Sequence, residues 1–194
     1  MSLKSPMALL AVGVVFSASA LAHEPTYTGM LANTCNGCHG TNGHSAGPNM
    51  PNLGGVPSGY IIEQMKRFKS GERSSTIMGR LAKAYSDDEI AAMASFYSTH
   101  KYEGAKQPVD AAKAAKGKKL HDERCKKCHT DDGRDSEEGG IVAGQWKEYL
   151  HISLNEFRSG KRPMPKKMAE KMEGDNKLSD EDVEALIHFY ASQQ

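Results

Sequence analysis

The chain has 194 residues, of which 38% are hydrophobic and 25% are charged. With 25 basic and 24 acidic side chains its formal net charge is +1, so overall charge gives no reason to expect binding to nucleic acid or to a charged membrane surface. A chain of this length suits one large domain or two small ones.

The N-terminal residues have the pattern of a cleaved export signal. Lys4 supplies a positive charge, residues 7–16 form a short apolar stretch, and a small-x-small cleavage site ends at Ala22. The apolar stretch is shorter than the roughly 20 residues that a membrane-spanning helix needs. We therefore predict a signal peptide over 1–22 and a mature periplasmic chain that begins at His23 and has no membrane span. The amine and imidazole of that new N-terminus would suit copper or zinc, although a frayed terminus is the alternative.

An internal repeat follows. The motif Cys35-Asn-Gly-Cys38-His39 recurs 90 residues later as Cys125-Lys-Lys-Cys128-His129. Three further pairs of landmarks recur in the same order at offsets of 89 to 93 residues: Leu53-Gly-Gly-Val-Pro-Ser-Gly-Tyr60 with Val142-Ala-Gly-Gln-Trp-Lys-Glu-Tyr149, Phe68-Lys-Ser-Gly-Glu-Arg73 with Phe157-Arg-Ser-Gly-Lys-Arg162, and Ser86-Asp-Asp-Glu-Ile90 with Ser179-Asp-Glu-Asp-Val183. We therefore predict two similar domains, 23–104 and 105–194, with a linker inside 101–112.

Each copy reads as three helices joined by long loops. A short helix ends at the cysteine pair, and a middle helix covers about 60–69 in the first copy. The last helix starts after Ser86 or Ser179, where a capping-box pattern is strict only in the first copy because the second has Asp182 in place of Glu. Strand signals are nearly absent. The fold class predicted is all-α, with two domains whose cores are too small to be filled by protein alone.

Both repeated motifs have the form that attaches haem covalently. Two thiols one helical turn apart can add to the two vinyl groups of a haem, and the following histidine can bind the iron. The predicted attachment residues are Cys35, Cys38, Cys125 and Cys128. The predicted iron ligands on that side are His39 and His129.

Three other uses of paired cysteines explain the pattern less well. A zinc site would place its two Cys-x-x-Cys elements about 15 to 20 residues apart, far closer than here. A thioredoxin-like thiol pair needs a βαβ context, which is missing. Disulfides would explain neither the repeated histidine nor the small core.

The second axial ligand of each iron is predicted to be methionine, which suits an electron carrier better than an open position does. In the first copy the candidate is Met78, in the loop before the last helix, where ordinary core packing is the alternative. In the second copy the repeat offsets favour Met168. Those offsets place the ligand within residues 167–171, and Met164, three residues before that range, is the second choice.

Several other side chains have weaker signals. The loop at Pro48 is expected to supply a carbonyl that holds the first proximal histidine, since such contacts fix the tautomer. Trp146 is predicted either to donate its indole N–H to a haem carboxylate or to be half-buried packing. The remaining histidines lack ligand-like spacing and are expected to be surface or structural residues: His44, His100, His121, His151 and His188.

Longer stretches of the chain resemble one particular family. They are Phe68-Lys-Ser-Gly-Glu-Arg-Ser-Ser-Thr-Ile-Met78-Gly-Arg80, Ala105-Lys-Gln107, Leu120-His-Asp122, Ala143-Gly-Gln-Trp146, Arg162-Pro-Met-Pro-Lys-Lys-Met168-Ala169 and Phe189-Tyr-Ala-Ser-Gln-Gln194. Through essentially the whole mature chain they resemble the cytochrome subunit of flavocytochrome c sulfide dehydrogenase. The resemblance implies two class I cytochrome c-like domains, one haem held by His39 with Met78 and the other by His129 with Met168.

The same resemblance implies partners. A larger subunit that bears FAD would oxidise sulfide, and electrons would pass from the flavin to the two haems and then to a soluble cytochrome acceptor. This chain would then contribute electron transfer and no acid, base or nucleophile. Two alternatives are a free-standing periplasmic dihaem shuttle and a haem enzyme that acts alone, which would need an open iron position.

Overall fold

The computed structural model describes residues 26–136, 139–174 and 177–194. The predicted signal peptide over 1–22 and the candidate metal ligand His23 lie outside the described residues. In the described ranges the chain is mainly α-helical, as predicted, and it contains no helix with the length and apolar character needed to cross a membrane.

The described residues of the first copy form five α-helices. They are α1 (Tyr27–Asn33), α2 (Asn36–His39), α3 (Ser58–Ser70), α4 (Met78–Leu81) and α5 (Asp87–Ser98), with short 3₁₀ turns at Thr41–Gly43 and Ala82–Ala84. Helix α3 ends before Gly71, whose φ of 84° lies in the left-handed region that glycine adopts without steric cost. The middle helix predicted over about 60–69 is therefore present and slightly longer at both ends.

The second copy follows the same order with local differences. Its helices are α6 (Ala111–Leu120), α7 (Lys147–Arg158), α8 (Lys166–Met172) and α9 (Asp180–Ser192), with a π-helical turn at His121–Cys125 and a 3₁₀ turn at Asp131–Gly133. Two-residue strands β1 (His129–Thr130) and β2 (Asp135–Ser136) pair in antiparallel orientation, with His129 opposite Ser136. This small ribbon is the only departure from an all-α fold among the residues described.

Both last helices begin with a reciprocal capping box. The Ser86 hydroxyl accepts the Glu89 N–H at 3.2 Å while the Glu89 carboxylate accepts the Ser86 N–H at 2.8 Å. Ser179 and Asp182 make the same pair of bonds at 3.1 Å and 3.2 Å. The shorter aspartate side chain thus completes the box, so the motif is present in both copies and not only where the sequence pattern is strict.

Each copy has its own apolar core, which centres on its last helix. In the first copy Ile90, Met93 and Tyr97 of α5 pack with Ile61 of α3. In the second copy, α9 contributes most of the core: Val183, Leu186, Ile187, Phe189 and Tyr190. Helices α6 and α9 approach so closely that a Cβ on Gly117 would lie 2.0 Å from the Ala185 carbonyl oxygen. Only glycine fits at that crossing.

The two copies are joined by hydrogen bonds as well as by the linker. The backbone N–H of Tyr149 donates to the Pro48 carbonyl at 3.1 Å, and that of Ala105 donates to the Gly144 carbonyl at 2.7 Å. The Tyr102 hydroxyl donates to the carbonyl of Ala143 at 2.5 Å. The first of these bonds holds the loop that follows the first motif against α7, and the other two hold the linker region against the segment before α7.

Candidate haem sites

The first Cys-x-x-Cys-His motif forms a single helical turn. Cys35 is the N-cap of α2, and Cys38 and His39 are its last two residues. The His39 N–H donates to the Cys35 carbonyl at 2.9 Å, which sets the two cysteines one turn apart. Both thiols are free rather than joined in a disulfide. The geometry is the one required for two thioether bonds to a single planar group.

The ring of His39 is buried and fixed by one hydrogen bond. Its Nδ1 lies 3.0 Å from the carbonyl oxygen of Pro51. A carbonyl can only accept, so Nδ1 must donate and Nε2 carries the free lone pair that a metal requires. Burial lowers the pKa of His39, and the bond to Pro51 only partly opposes that shift. The imidazole is therefore neutral and available as a ligand.

The hydrogen bond to the His39 ring comes from Pro51, so the prediction of Pro48 is wrong. Pro48 was predicted to hold the ring, whereas its carbonyl instead accepts the N–H of Tyr149 from the second copy. The chain needs three more residues after Pro48 before it returns beneath the His39 ring at Pro51. Sequence spacing identified the loop and missed the residue because two prolines occur in it.

The second motif has the same order of ligands on a different backbone. Cys125 closes the π-helical turn, the Cys128 N–H donates to the Cys125 carbonyl at 3.1 Å, and His129 begins strand β1. The Nδ1 atom of His129 is buried and has no hydrogen-bond partner among the described residues. The two candidate ligand histidines are therefore held differently, as the absence of an equivalent proline predicted.

A tyrosine from the last helix lies beside the first cysteine of each motif. The Tyr97 hydroxyl donates to the Ala32 carbonyl at 2.7 Å, and the Tyr190 hydroxyl lies 3.1 Å from Nδ1 of His121. Burial is the main cause that raises the pKa of both Cys35 and Cys125. Each first thiol is therefore largely shielded from water, with a tyrosine hydroxyl as a polar neighbour.

The candidate methionines lie on or beside the short helices that follow α3 and α7. Met78 is the first residue of α4 and is partly buried. Met168, inside α8, and Met164, in the loop before it, are both partly buried and both pack against the second core. The second copy thus presents two candidates that both contact its core.

The other histidines have structural partners. His121 is 1% exposed and contacts Tyr190, the Nδ1 of His188 accepts the N–H of Asp110 at 2.9 Å, and His151 pairs with Glu184 at 2.8 Å. His44 lies 3.9 Å from Glu103, and His100 stacks edge-on against Phe96. These contacts agree with the structural role predicted for them.

The fold does bring His121 together with Asp122 and Asp132, a grouping that sequence spacing did not indicate. The ammonium of Lys118 already lies 2.6 Å from Asp122 and 3.5 Å from Asp132. Because the Lys118 ammonium already pairs with both carboxylates, we assign no metal to this cluster.

The indole of Trp146 joins the two copies. Its Nε1–H donates to the Ser45 carbonyl at 3.1 Å, and the ring is half-buried. This hydrogen bond already uses the indole N–H, which favours the packing interpretation over a contact with a haem carboxylate.

Two arginines that the sequence analysis did not single out are buried at the boundary between the copies. Arg73 and Arg162 are 6% and 5% exposed, and each guanidinium lies over a phenylalanine ring at 4.5 Å and 4.2 Å, Phe68 and Phe157 respectively. The repeat could have identified them, because each arginine lies five residues after the phenylalanine of the repeated segment. Arginine is rarely buried without a functional or structural partner.

The donor set in each copy fits haem c. Each copy offers two free thiols, a histidine with at least one ring nitrogen free to bind a metal, and a partly buried methionine thioether. When bound there, haem supplies reversible one-electron transfer, with a potential set by the axial ligands and by burial. The chain's own contribution is to attach the group, orient the proximal imidazole and exclude water from the iron.

Comparison with known proteins agrees with this chemistry. The cytochrome c family model matches residues 28–101 and again residues 114–194. The chain is 30% identical over 206 residues to cytochrome c4 of Azotobacter vinelandii, covering 93% of this chain and 94% of that protein. It is 36% identical over 96 residues to the cytochrome subunit of sulfide dehydrogenase of Chlorobaculum tepidum, covering 46% of this chain and 86% of that protein.

The fold is that of a solved cytochrome c4. The crystal structure of reduced cytochrome c4 from Pseudomonas stutzeri superposes with a TM-score of 0.74 at 26% identity, covering 86% of this chain and 96% of that chain. Two matches to one family model, in the two halves of a repeat, account for the duplicated motif. The chain belongs to the cytochrome c family as a dihaem class I member, with covalently bound haem c in two tandem domains and electron transfer as its function.

Proposed function

We propose that thioether bonds to Cys35 and Cys38 hold the first haem and that bonds to Cys125 and Cys128 hold the second. His39 and His129 bind the two irons. The observation that supports this most directly is the His39 ring, whose Nδ1 is engaged by the Pro51 carbonyl and whose Nε2 is therefore the free donor.

Methionine completes the coordination in each copy. Met78 binds the first iron, and Met168 binds the second, with Met164 as the competing ligand. Two thioether-ligated irons have no open position, which suits transfer of electrons and not binding of oxygen or peroxide. A haem enzyme acting alone is therefore the weaker hypothesis.

We assign the first domain to 23–104 and the second to 105–194, after removal of the signal peptide over 1–22. The N-terminal pattern supports export, so the mature chain would work in the periplasm. The described helices fall on both sides of that boundary, with α5 ending at Ser98 and α6 starting at Ala111.

The more specific function proposed is that of an electron-transfer subunit of sulfide dehydrogenase. An FAD-bearing partner would oxidise sulfide, and a soluble cytochrome would receive the electrons. Oxidation of sulfide to the level of elemental sulfur releases two protons and two electrons, and two one-electron centres can hold both electrons. The supports are the sequence resemblance and the 36% identity to a sulfide dehydrogenase cytochrome subunit.

A free-standing shuttle is the second candidate. It is favoured by the likeness to cytochrome c4, which extends over 93% of this chain. The likeness to the sulfide dehydrogenase subunit extends over only 46%. Such a shuttle would be monomeric and would exchange electrons with several periplasmic proteins through brief contacts.

Native mass spectrometry of the protein, purified gently from its own periplasm, distinguishes the subunit function from the free-standing shuttle. A one-to-one complex with a flavin-bearing chain, whose haems are reduced on addition of sulfide, would support the subunit role. The free-standing shuttle would be supported by a chain that is found alone at every ionic strength. Its haems should then not be reduced by sulfide, even when periplasmic extract is added.

A further inference from the structure

A cleft of about 870 Å³ lies on the surface where the two copies meet. One wall is formed by residues 74–76 of the first copy, and the other by second-copy residues of α7 and of the loops on either side of α8. The backbone N–H of Ser74 donates to the Lys161 carbonyl at 3.1 Å, so a hydrogen bond fixes the two walls to each other. Sites that bind drug-sized ligands have similar volumes, so the cleft has room for a few side chains of another molecule.

The cleft presents more positive than negative charge. Its lining includes Arg158, Lys161 and Lys177, whereas Glu156 is the one carboxylate among the described residues that line it. Glu156 already pairs with the buried Arg73 guanidinium at 3.2 Å. Lys161 and Lys177 are both exposed, and neither ammonium forms an ion pair within the described ranges. The two lysines are therefore available to carboxylates of another molecule.

Hydroxyl groups on the opposite wall add further hydrogen-bond donors. The Ser75 Oγ accepts the N–H of Gly79 at 2.7 Å, which leaves its own O–H free to donate. Ser74 and Thr76 also line the cleft, and both are exposed. The cleft therefore offers hydroxyl donors on one wall and cations on the other, which suits a ligand that carries acceptors of negative charge.

The basic character continues along the chain beyond the cleft. Residues 158–171 include six basic side chains and one acidic side chain. Arg158 does pair with Asp180 at 2.8 Å, but this carboxylate is 90% exposed, and ion pairs between exposed side chains are weak. Because the formal net charge of the whole chain is only +1, the positive charge is a local property of this region and not of the whole surface.

The cleft also lies beside the segments that carry the candidate methionine ligands. Residues 74–76 end two residues before Met78, and Lys161 lies three residues before Met164 and seven before Met168. A protein that binds in the cleft therefore contacts, at the same time, the segment that precedes the proposed iron ligand in each copy.

We propose that this cleft docks an acidic segment of the redox partner, whose carboxylates bind Lys161, Lys177 and the hydroxyls of residues 74–76. The inference rests on the proposed function, since both the subunit and the free-standing shuttle exchange electrons with another protein. Complementary charge steers two proteins together and fixes the register in which they dock. A partner held in this way is placed against both copies and not against one domain alone.

Binding of a synthetic octaglutamate peptide to the two-haem holoprotein, measured by isothermal titration calorimetry, tests the proposal. Lys161→Glu/Lys177→Glu should weaken binding about tenfold at low ionic strength. In the parent protein, added salt should weaken binding as well. Because both substituted side chains are exposed, the fold should persist.

The matched control is Lys106→Glu/Lys119→Glu. It makes the same change in net charge at two exposed lysines that do not line the cleft, and its affinity for the peptide should stay within about twofold of the parent value. Carbodiimide cross-linking then locates the bound peptide, because it joins a peptide carboxylate to a lysine amine as an amide. Mass mapping should find these bonds at Lys161 and Lys177.

An equal loss of affinity in the two double variants would overturn the proposal, because only overall charge would then matter. Equal binding of octaglutamine would overturn it too. A dimer of this chain that Lys161→Glu/Lys177→Glu dissociates would instead identify a second copy as the occupant, and tighter binding to phosphatidylglycerol vesicles than to the peptide would identify a membrane surface. Two haems per chain that are reversibly reduced in every variant would show that the electron-transfer function stands even if the cleft binds no acidic segment.

Discussion

Asn52 and Gln145 exchange two hydrogen bonds across the boundary between the two copies. The Asn52 N–H donates to Oε1 of Gln145 at 2.9 Å, and Nε2 of Gln145 donates to the Asn52 carbonyl at 3.1 Å. Both residues are almost fully buried. The glutamine side chain therefore substitutes for a second peptide group and satisfies a backbone unit that would otherwise be unpaired.

Replacing this glutamine should weaken the whole protein. Gln145→Ala leaves the buried N–H and carbonyl of Asn52 without partners, and we expect the free energy of unfolding to fall by about 1–3 kcal/mol. Denaturant unfolding of the holoprotein measures the change. Asn155→Ala, an exposed amide on α7, is the control and should change stability by less than about 0.5 kcal/mol. Equal effects of both variants would argue against the pairing.

Haem content should follow the cysteine pairs independently. The double variant Cys35→Ala/Cys38→Ala should carry one haem per chain instead of two, because only the second motif can then form thioether bonds. Cys125→Ala/Cys128→Ala should give the same ratio through loss of the other haem. Mass spectrometry of the denatured chain measures covalent haem directly. Two haems in either variant would contradict the attachment proposed here.

The choice between Met168 and Met164 is open to a direct spectroscopic test. Leucine is close in volume to methionine and lacks the sulfur, so the fold should persist in Met168→Leu. We expect ferrous Met168→Leu to bind carbon monoxide at the second haem, while Met164→Leu does not. Met78→Leu, which should open the first haem, calibrates the signal. The opposite pattern would assign Met164 as the ligand.

Acid should weaken the hydrogen bond between His188 of α9 and Asp110, the residue that caps α6. Nδ1 of His188 accepts the N–H of Asp110, so protonation removes the acceptor. Burial is the first cause that lowers the pKa of His188; the cations Lys147 and Lys113 add to the shift and the carboxylates of Glu184 and Asp110 oppose it.

The unfolded state takes up this proton near the usual histidine value of about 6.5, before the folded state does. Stability from this contact is therefore present above about pH 6.5 and is lost as the pH falls through the lower folded value. In His188→Gln, whose amide oxygen can accept the same bond, the melting temperature should change less between pH 7.5 and pH 5. An identical pH dependence in both proteins would show that His188 does not titrate in this way.

Much of the fold and of the haem chemistry could be predicted from local pattern. The repeated motif predicts the attachment thiols and the proximal histidines, and the apolar spacing in α3, α5 and α9 predicts the helices that the structure contains. These are short-range features: a thiol pair one turn apart and a capping serine depend on neighbours in sequence. Asp182 shows the limit of strict pattern matching, since its shorter carboxylate completes the same box.

What the sequence could not supply are contacts between residues far apart in the chain. The carbonyl that holds His39 comes from Pro51 and not from Pro48, because loop length and not residue type decides which carbonyl returns to the ring. The burial of Arg73 and Arg162 arises only when the two copies meet. The sequence alone determined that two haem-binding units exist. The tertiary structure decided how their surfaces join, because the residues that hydrogen-bond across the boundary are far apart in the chain and local sequence patterns do not pair them.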